Sequence, residues 1–373
     1  NLVLHVINSV LVFFISKTIL KSIFAGGLVA IFFSIHPQHV EAVAWISQRK
    51  ELLAAFFGLL SFLFYMHNNS VNSSVRDLST PNYLFYLLSL IFFLLSLLSK
   101  PTWVMLPFLL LIFDWCCFDN KDSYRFLSFL KKISLFIAIA LSYSLIHLYS
   151  TSAVEGHVIT SLQSLSLIDR VLNAPVILLH YLIIGIFPFS LAGYQPYPYL
   201  PYPLWQTVIS TILIISVFII PAFRKTTNNL IFMGLTWFFI SLLPVIGILG
   251  TGESILIGDR WTYLPHIGLF IAAVQIIKNQ IQLRYKYKAY ILSFLFLYIS
   301  AHIYTTNKTI KYWKNSATYW TWSINTTTNN HYAHIKLGEH YEKQGLLYEA
   351  KKNYLKAHEI NHEEPLYVIF LGN

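Results

Sequence analysis

The sequence predicts an all-α protein that crosses a membrane many times and ends in a helical repeat. Three observations predict this class. Hydrophobic residues make up 56% of the 373 and charged ones 11%, with a mean hydropathy of +0.57; a soluble domain carries about 25% charge. Apolar runs of about 17–25 residues, the length that spans a bilayer, recur along residues 1–306. Beyond Asn307 the composition turns polar, and a pattern of small and aromatic positions about 34 residues long begins.

Taken in order, ten runs begin near residues 1, 22, 51, 83, 103, 133, 205, 229, 264 and 289. An eleventh, 168–190, contains Asp169, Arg170, Asn173, Pro175 and His180, and its reading inverts everything downstream. If it lies at the interface or re-enters, thirteen Lys and Arg fall on one side and five on the other; if it crosses, the bias between the sides is lost. Cytoplasmic loops are enriched in Lys and Arg. The first distribution obeys that rule, so the expected arrangement is ten spans with both chain ends outside the cytoplasm. The same bias accounts for the formal net charge of +10, and no nucleic-acid partner is expected. The chain opens within a run and shows no signal peptide, so it is expected to be truncated at both ends. Cys116 and Cys117 are adjacent, too close to bridge readily, and are expected to be reduced and lipid-facing.

The polar insertions between runs carry the chemistry. His36-Pro-Gln-His-Val-Glu-Ala-Val-Ala-Trp-Ile-Ser-Gln-Arg-Lys-Glu51 gathers two imidazoles, two carboxylates and two cations at a span mouth. Ionisable groups are costly in hydrocarbon, so such a cluster marks a candidate site. Ser99-Lys-Pro-Thr-Trp103 and Gly258-Asp-Arg-Trp-Thr-Tyr-Leu-Pro265 are similar insertions. Arg49, Lys50, Lys100, Arg170 and Arg260 stand on the side that the charge bias disfavours. Arg offers bidentate donors and Lys a point charge, which suits a phosphate or diphosphate carried on a lipid; the alternative is anchoring to lipid headgroups. His36, His39 and Glu41 also raise a divalent metal. The spacing H-x2-H-x-E contains Pro37 and is not a standard ligand set, so no metal is expected.

From Asn330 to Glu364 the spacing matches the tetratricopeptide pattern at Leu337-Gly338, Tyr341, Gly345, Ala350, Tyr354 and Ala357, with His362 where a proline is usual. Leu371-Gly372 begins a second copy. The repeat implies a surface for protein or peptide. The expected organisation is a membrane domain over 1–306, a linker over 307–329 and the repeat over 330–373.

These motifs, in this order, resemble the transmembrane and tetratricopeptide-repeat-containing protein family, membrane glycosyltransferases of GT-C type related to protein O-mannosyltransferases. The resemblance rests on His36 through Leu53, Ser99 through Pro107, Gly258 through Pro265 with Ile267-Gly268, the repeat and, more weakly, Tyr181 through Pro198. It implies a GT-C-like membrane domain that moves a sugar, mannose or a similar one, from a polyprenyl-phosphate carrier to protein hydroxyls on the non-cytoplasmic side, with inversion and without a required cofactor. It further implies a bacterial member in the inner membrane, with the repeats on the periplasmic side and facing an acceptor protein or peptide. In such enzymes the main acidic base follows the first span, which would lie N-terminal to Asn1. Glu41 is then the best remaining base, with Asp259 positioning sugar or acceptor. Arg49, Lys50, Lys100 and Arg260 would stabilise the leaving phosphate, and His36 and His39 would donate to its oxygens. Tyr263, Trp45 and Trp261 would stack on the sugar or belong to an interfacial aromatic belt. The competing reading is a non-catalytic membrane scaffold presenting the repeats to partners. A transporter ranks third, because the charges sit at the rim rather than at mid-membrane.

Overall fold

The computed structural model describes residues 1–71, 83–117, 123–154, 165–196, 201–222, 229–248 and 255–361. Arg76, Lys121, Arg224 and Lys225 of the expected basic loops lie outside the described residues, as do His362, Glu364 and Leu371-Gly372 of the repeat.

Each of the ten runs falls on a helix, the one expected near 133 beginning ten residues earlier, at Ser123. They are α1 (Leu2–Leu20), α2 (Ile23–Ile35), and, after the short α3 (His39–Ala44), α4 (Arg49–Val71). Then follow α5 (Tyr83–Ser99), α6 (Leu106–Cys117), α7 (Ser123–Val154), α8 (Leu167–Ile186), α9 (Leu204–Ala222), α10 (Asn229–Leu242), α11 (Pro265–Leu283) and α12 (Lys288–Tyr312). Among the described residues, five stretches are long and apolar enough to cross a membrane: α1, Ile46–Asn68, Leu130–Ser150, α8 and α12. The apolar helices α2, α5, α9 and α10 and the stretch Pro101–Cys117 are shorter. The protein is therefore a polytopic α-helical membrane protein.

Two departures from the sequence reading have physical causes. The run 168–190, expected at the interface, forms a helix of crossing length. Its charges sit in the first turn, where Ser166 Oγ accepts the Asp169 N–H at 3.2 Å, and Pro175 is accommodated inside the helix. The span near 264 is α11, whose first half is packed inside the bundle, Pro265 through Ala272 all being buried, while Ile276 and Leu283 are exposed. It crosses α10 where Gly234 meets Gly268, and a Cβ on Gly268 would stand 2.5 Å from the Gly234 carbonyl. Small residues let two backbones approach this closely. Nor are the cysteines simply lipid-facing. Both are half-buried, and Cys117 Sγ lies 4.0 Å from Met233 Sδ of α10.

Chain reversal brings helix ends to one end of the bundle. Asn1 Nδ2 donates to the Val43 and Trp45 carbonyls at 3.1 and 3.0 Å, which seats the start of α1 beside α3. The Thr306 hydroxyl of α12 donates to the Ile35 carbonyl at 2.6 Å, and Lys100 after α5 meets Glu51 at the start of α4. The end of α8 arrives there through Gly185, whose carbonyl lies 3.1 Å from His36 Nε2. A two-strand ribbon, β1 (Gln195–Pro196) against β2 (Ile255–Ile257), ties the segment after α8 to the segment before α11.

Residues 307–329, expected as a linker, are taken up by the end of α12 and by α13 (Ser316–Thr326). Asn315 and Thr318 close a reciprocal capping box at its start. The helices α14 (His331–Lys343) and α15 (Leu347–Ile360) form an antiparallel hairpin with Leu337, Gly338, Ala350, Tyr354 and Ala357 buried. Tyr194 docks this hairpin on the bundle. Its N–H donates to Ser323 Oγ at 3.0 Å, its carbonyl accepts from Asn330 Nδ2 at 2.8 Å, and its ring stacks on Tyr332 at 4.7 Å.

Candidate functional site

Three segments distant in sequence, 36–51, 99–103 and 258–263, meet at this end of the bundle. The turn of α3 presents Glu41 to the 3-10 turn Asp259–Thr262. Both carboxylate oxygens of Glu41 are engaged by Arg260: Oε1 by the guanidinium, and Oε2 by the backbone N–H at 2.9 Å. The pair is buried, Glu41 being 6% and Arg260 2% exposed. The guanidinium also lies between two indoles, 5.3 Å from the ring centre of Trp45 and 5.0 Å from that of Trp261, which favours a cation.

Asp259 is next to this pair but differently placed. It is half-buried, and its Oδ1 accepts from Gln38 Nε2 at 2.8 Å. Desolvation pushes its carboxyl well above the usual range, and the Glu41 carboxylate pushes it further; Gln38 and Arg260 offset only part. Tyr181 of α8 holds the turn in place, its hydroxyl accepting the Gly258 N–H at 3.0 Å. Tyr319 of α13 is raised by burial and by the same Glu41 and Asp259 charges, so α13 covers the site from outside.

A second ion pair joins Lys100 to Glu51. Lys100 precedes a 3-10 turn whose Trp103 is 1% exposed. That indole fills the space over Gly58 of α4, where a Cβ would lie 2.0 Å from its Cε3. Arg49 and Lys50, by contrast, are exposed at the start of α4.

The structure thus gathers Glu41, Asp259, Arg260 and Lys100 with Arg49 and Lys50 at one bundle end. Tyr263, His36 and His39 lie one layer deeper. Tyr263 is 1% exposed; its hydroxyl donates to His5 Nδ1 at 2.8 Å and accepts from Asn8 Nδ2 at 3.3 Å. His36 and His39 are 1% and 2% exposed, and burial followed by neighbouring imidazoles holds both well below the usual histidine range. Arg170 is at the start of α8 and in none of these pairs. Sequence reasoning missed Gln38, Tyr181 and His266 as members of the constellation. Gln38 and His266 lie inside or beside the quoted motifs, and the signal available was their polarity in apolar surroundings. His36, His39 and His266 can together offer three ligand nitrogens to a metal ion, whereas Glu41 is held by Arg260.

The motifs' resemblance has counterparts among characterised sequences. The chain is 34% identical over 127 residues to the human "Protein O-mannosyl-transferase TMTC1", covering 33% of this chain and 14% of the relative. It is 25% identical over 365 residues to the Caenorhabditis elegans "Protein O-mannosyl-transferase F38B6.6", covering 96% of this chain and 49% of the relative. The mouse "Protein O-mannosyl-transferase TMTC1" is 32% identical over 125 residues, 33% of this chain and 13% of the relative. The match to the nematode protein takes in nearly the whole chain. No family model matches, and no solved structure matches. The chain spans about half the length of the nematode relative and less of the mammalian ones.

Proposed function

We propose that the protein transfers a sugar, mannose or a close analogue, from a polyprenyl-phosphate carrier to protein hydroxyls, as a member of this transferase family. The observation that carries the reading is a raised carboxyl, Asp259, beside two carboxylate-held cations and two exposed ones at a single bundle end. Transfer from a lipid phosphate requires a proton acceptor for the incoming hydroxyl and positive charge for the departing phosphate. The hydroxyl oxygen attacks the anomeric carbon as the bond to phosphate breaks, and the phosphate leaves with the electron pair. The hydroxyl proton passes to Asp259, whose proton affinity burial and the Glu41 charge raise, rather than to Glu41, both of whose oxygens Arg260 holds. Attack from the opposite face inverts the anomeric centre in one step.

The cations divide the phosphate work. Arg49 and Lys50 are exposed and reach the headgroup first. Lys100 and Arg260, held by Glu51 and Glu41, supply positive charge beside the phosphate. Trp45, 39% exposed, provides a stacking face for the sugar. The donor's polyprenyl chain lies in the bilayer, and the α14–α15 hairpin presents the acceptor. The reading needs no cofactor for the transfer and places the rim and repeats on the non-cytoplasmic face.

A photoreactive polyprenyl-phosphate mannose analogue, crosslinked to the full-length protein in nanodiscs, tests this. Label on peptides covering 36–51, 99–105 and 258–263, displaced by unlabelled donor, is the expected result. Label confined to other segments, or none with any sugar, would leave the scaffold reading.

A further inference from the structure

Beneath the rim lies a cluster that the transfer does not use. His36, at the end of α2, His39, the first residue of α3, and His266, in the first turn of α11, are all buried, at 1%, 2% and 0% exposure. One nitrogen from each falls within 4.8 Å of the others.

Backbone carbonyls fix which nitrogens are bare. A carbonyl can only accept, so His36 carries its proton on Nε2, facing Gly185 O at 3.1 Å, and leaves Nδ1 with a lone pair. His39 carries its proton on Nδ1, facing Phe33 O at 2.7 Å, and leaves Nε2 bare. His266 Nδ1 stands 3.1 Å from that bare Nε2, while its own Nε2 has no partner in the interior. The one proton of a neutral His266 cannot satisfy both sides. The remaining contact to His36 Nδ1 is the Gln38 N–H at 3.4 Å. His302 of α12 repeats the pattern. Its Nδ1–H donates to Tyr298 O at 2.9 Å, its Nε2 is buried and unpartnered, and its ring centre is 5.4 Å from that of His36.

We infer that His36, His39 and His266 form a buried transition-metal site of zinc type. An imidazole whose other nitrogen donates to a backbone carbonyl is the usual preparation of a metal ligand. An all-imidazole set selects Zn2+, Cu2+ or Ni2+ over Mg2+, Ca2+ or Mn2+, which take oxygen donors. The nearby carboxylates are spoken for, Glu41 by Arg260 and Asp259 by Gln38. Zinc bonds of about 2.0–2.1 Å place tetrahedral ligand nitrogens about 3.3 Å apart, so an ion would draw inward nitrogens that now lie within 4.8 Å of one another. Burial of the imidazoles as neutral groups keeps their lone pairs available. Gly185 makes the space, since a Cβ there would stand 3.1 Å from His266 Nε2. A site without solvent access is structural. The ion pins α3, and with it Glu41, to the head of α11 and the end of α2. This inference does not depend on the transfer reaction.

Metal analysis of the full chain, purified in detergent and dialysed against a weak chelator, is the test. Stoichiometric zinc is expected in the wild type and in the His180→Gln control, whose histidine is exposed on α8. It should be lost in His39→Asn and in His266→Gln. Should those variants fold poorly, the wild type alone decides. Stripping with a strong chelator should lower its thermal midpoint, and Zn2+ should restore it; Co2+ should give the visible spectrum of a tetrahedral nitrogen site. Wild-type protein without metal and without a response to Zn2+ would overturn the proposal. So would zinc that survives His266→Gln, and in either case the rings would be a hydrogen-bonded stack.

Discussion

At the residue scale the Glu41–Arg260 pair dominates. Two buried opposite charges offset each other's desolvation, and removing one leaves the other stranded at a cost of about 3–5 kcal/mol. Glu41→Ala and Arg260→Ala should each lower stability by about that amount in detergent unfolding. The double variant should be far less impaired than the sum of the two, because the pair acts as a unit. Full additivity would contradict the pairing. Asp259 makes a different prediction. Its folded-state affinity for protons exceeds that of the unfolded chain, so folding takes up a proton between about pH 3.9, the unfolded value, and the raised one. Its contribution is fully present below the lower value and is lost as pH rises through the window, by at most about 1.4 kcal/mol per pH unit. Asp259→Asn, which can keep the Gln38 contact, should therefore gain on the wild type as pH rises from 4 toward neutrality, as read by thermal midpoints at each pH.

At the scale of elements, the seating of the 3-10 turn after Lys100 depends on one missing side chain. Gly58→Ala would drive a methyl into Trp103, and an overpacked core typically loses about 1–3 kcal/mol. Gly27→Ala, where nothing lies within 4 Å, should be neutral. Equal melting shifts for the two variants would refute the packing argument. The helices themselves were legible because bilayer length and apolarity leave a strong imprint: all ten expected runs, from α1 to α12, fall on helices. What composition could not convey is which face a helix turns to its neighbours. Thus α11 reads as a span like the others, yet the Gly234–Gly268 contact draws its first half into the core. The run 168–190, with Asp169, Arg170 and Pro175, reads as lying at the interface or re-entering, yet it forms one continuous helix capped by Ser166. The rim motifs were visible as polar islands, and the structure adds their partners. Glu51 for Lys100 and Arg260 for Glu41 are long-range contacts that spacing alone does not encode. His266 was hidden for the same reason, as a polar residue at the head of an apolar run.

At the scale of the molecule, chain reversal stacks the starts of α1, α4 and α11 and the ends of α2, α5, α8 and α12 at one end. Polar segments expensive in hydrocarbon are thereby concentrated where they shield one another. Tyr194 and α13 then fasten the α14–α15 hairpin over the same end, which brings a candidate acceptor surface to a candidate chemical site. The central claim is that this rim performs sugar transfer. The measurement that tests it most directly is the transfer of label from polyprenyl-phosphate mannose to an acceptor peptide by the full-length protein in nanodiscs. Asp259→Asn, Lys100→Ala and Arg260→Ala are assayed in parallel, each at a temperature where its unfolding curve shows it folded. The account predicts transfer by the wild type and losses of about 100-fold or more in the Asp259 variant, the scale of a general base. Wild-type transfer undiminished in all three folded variants would contradict it and place the chemistry elsewhere in the protein.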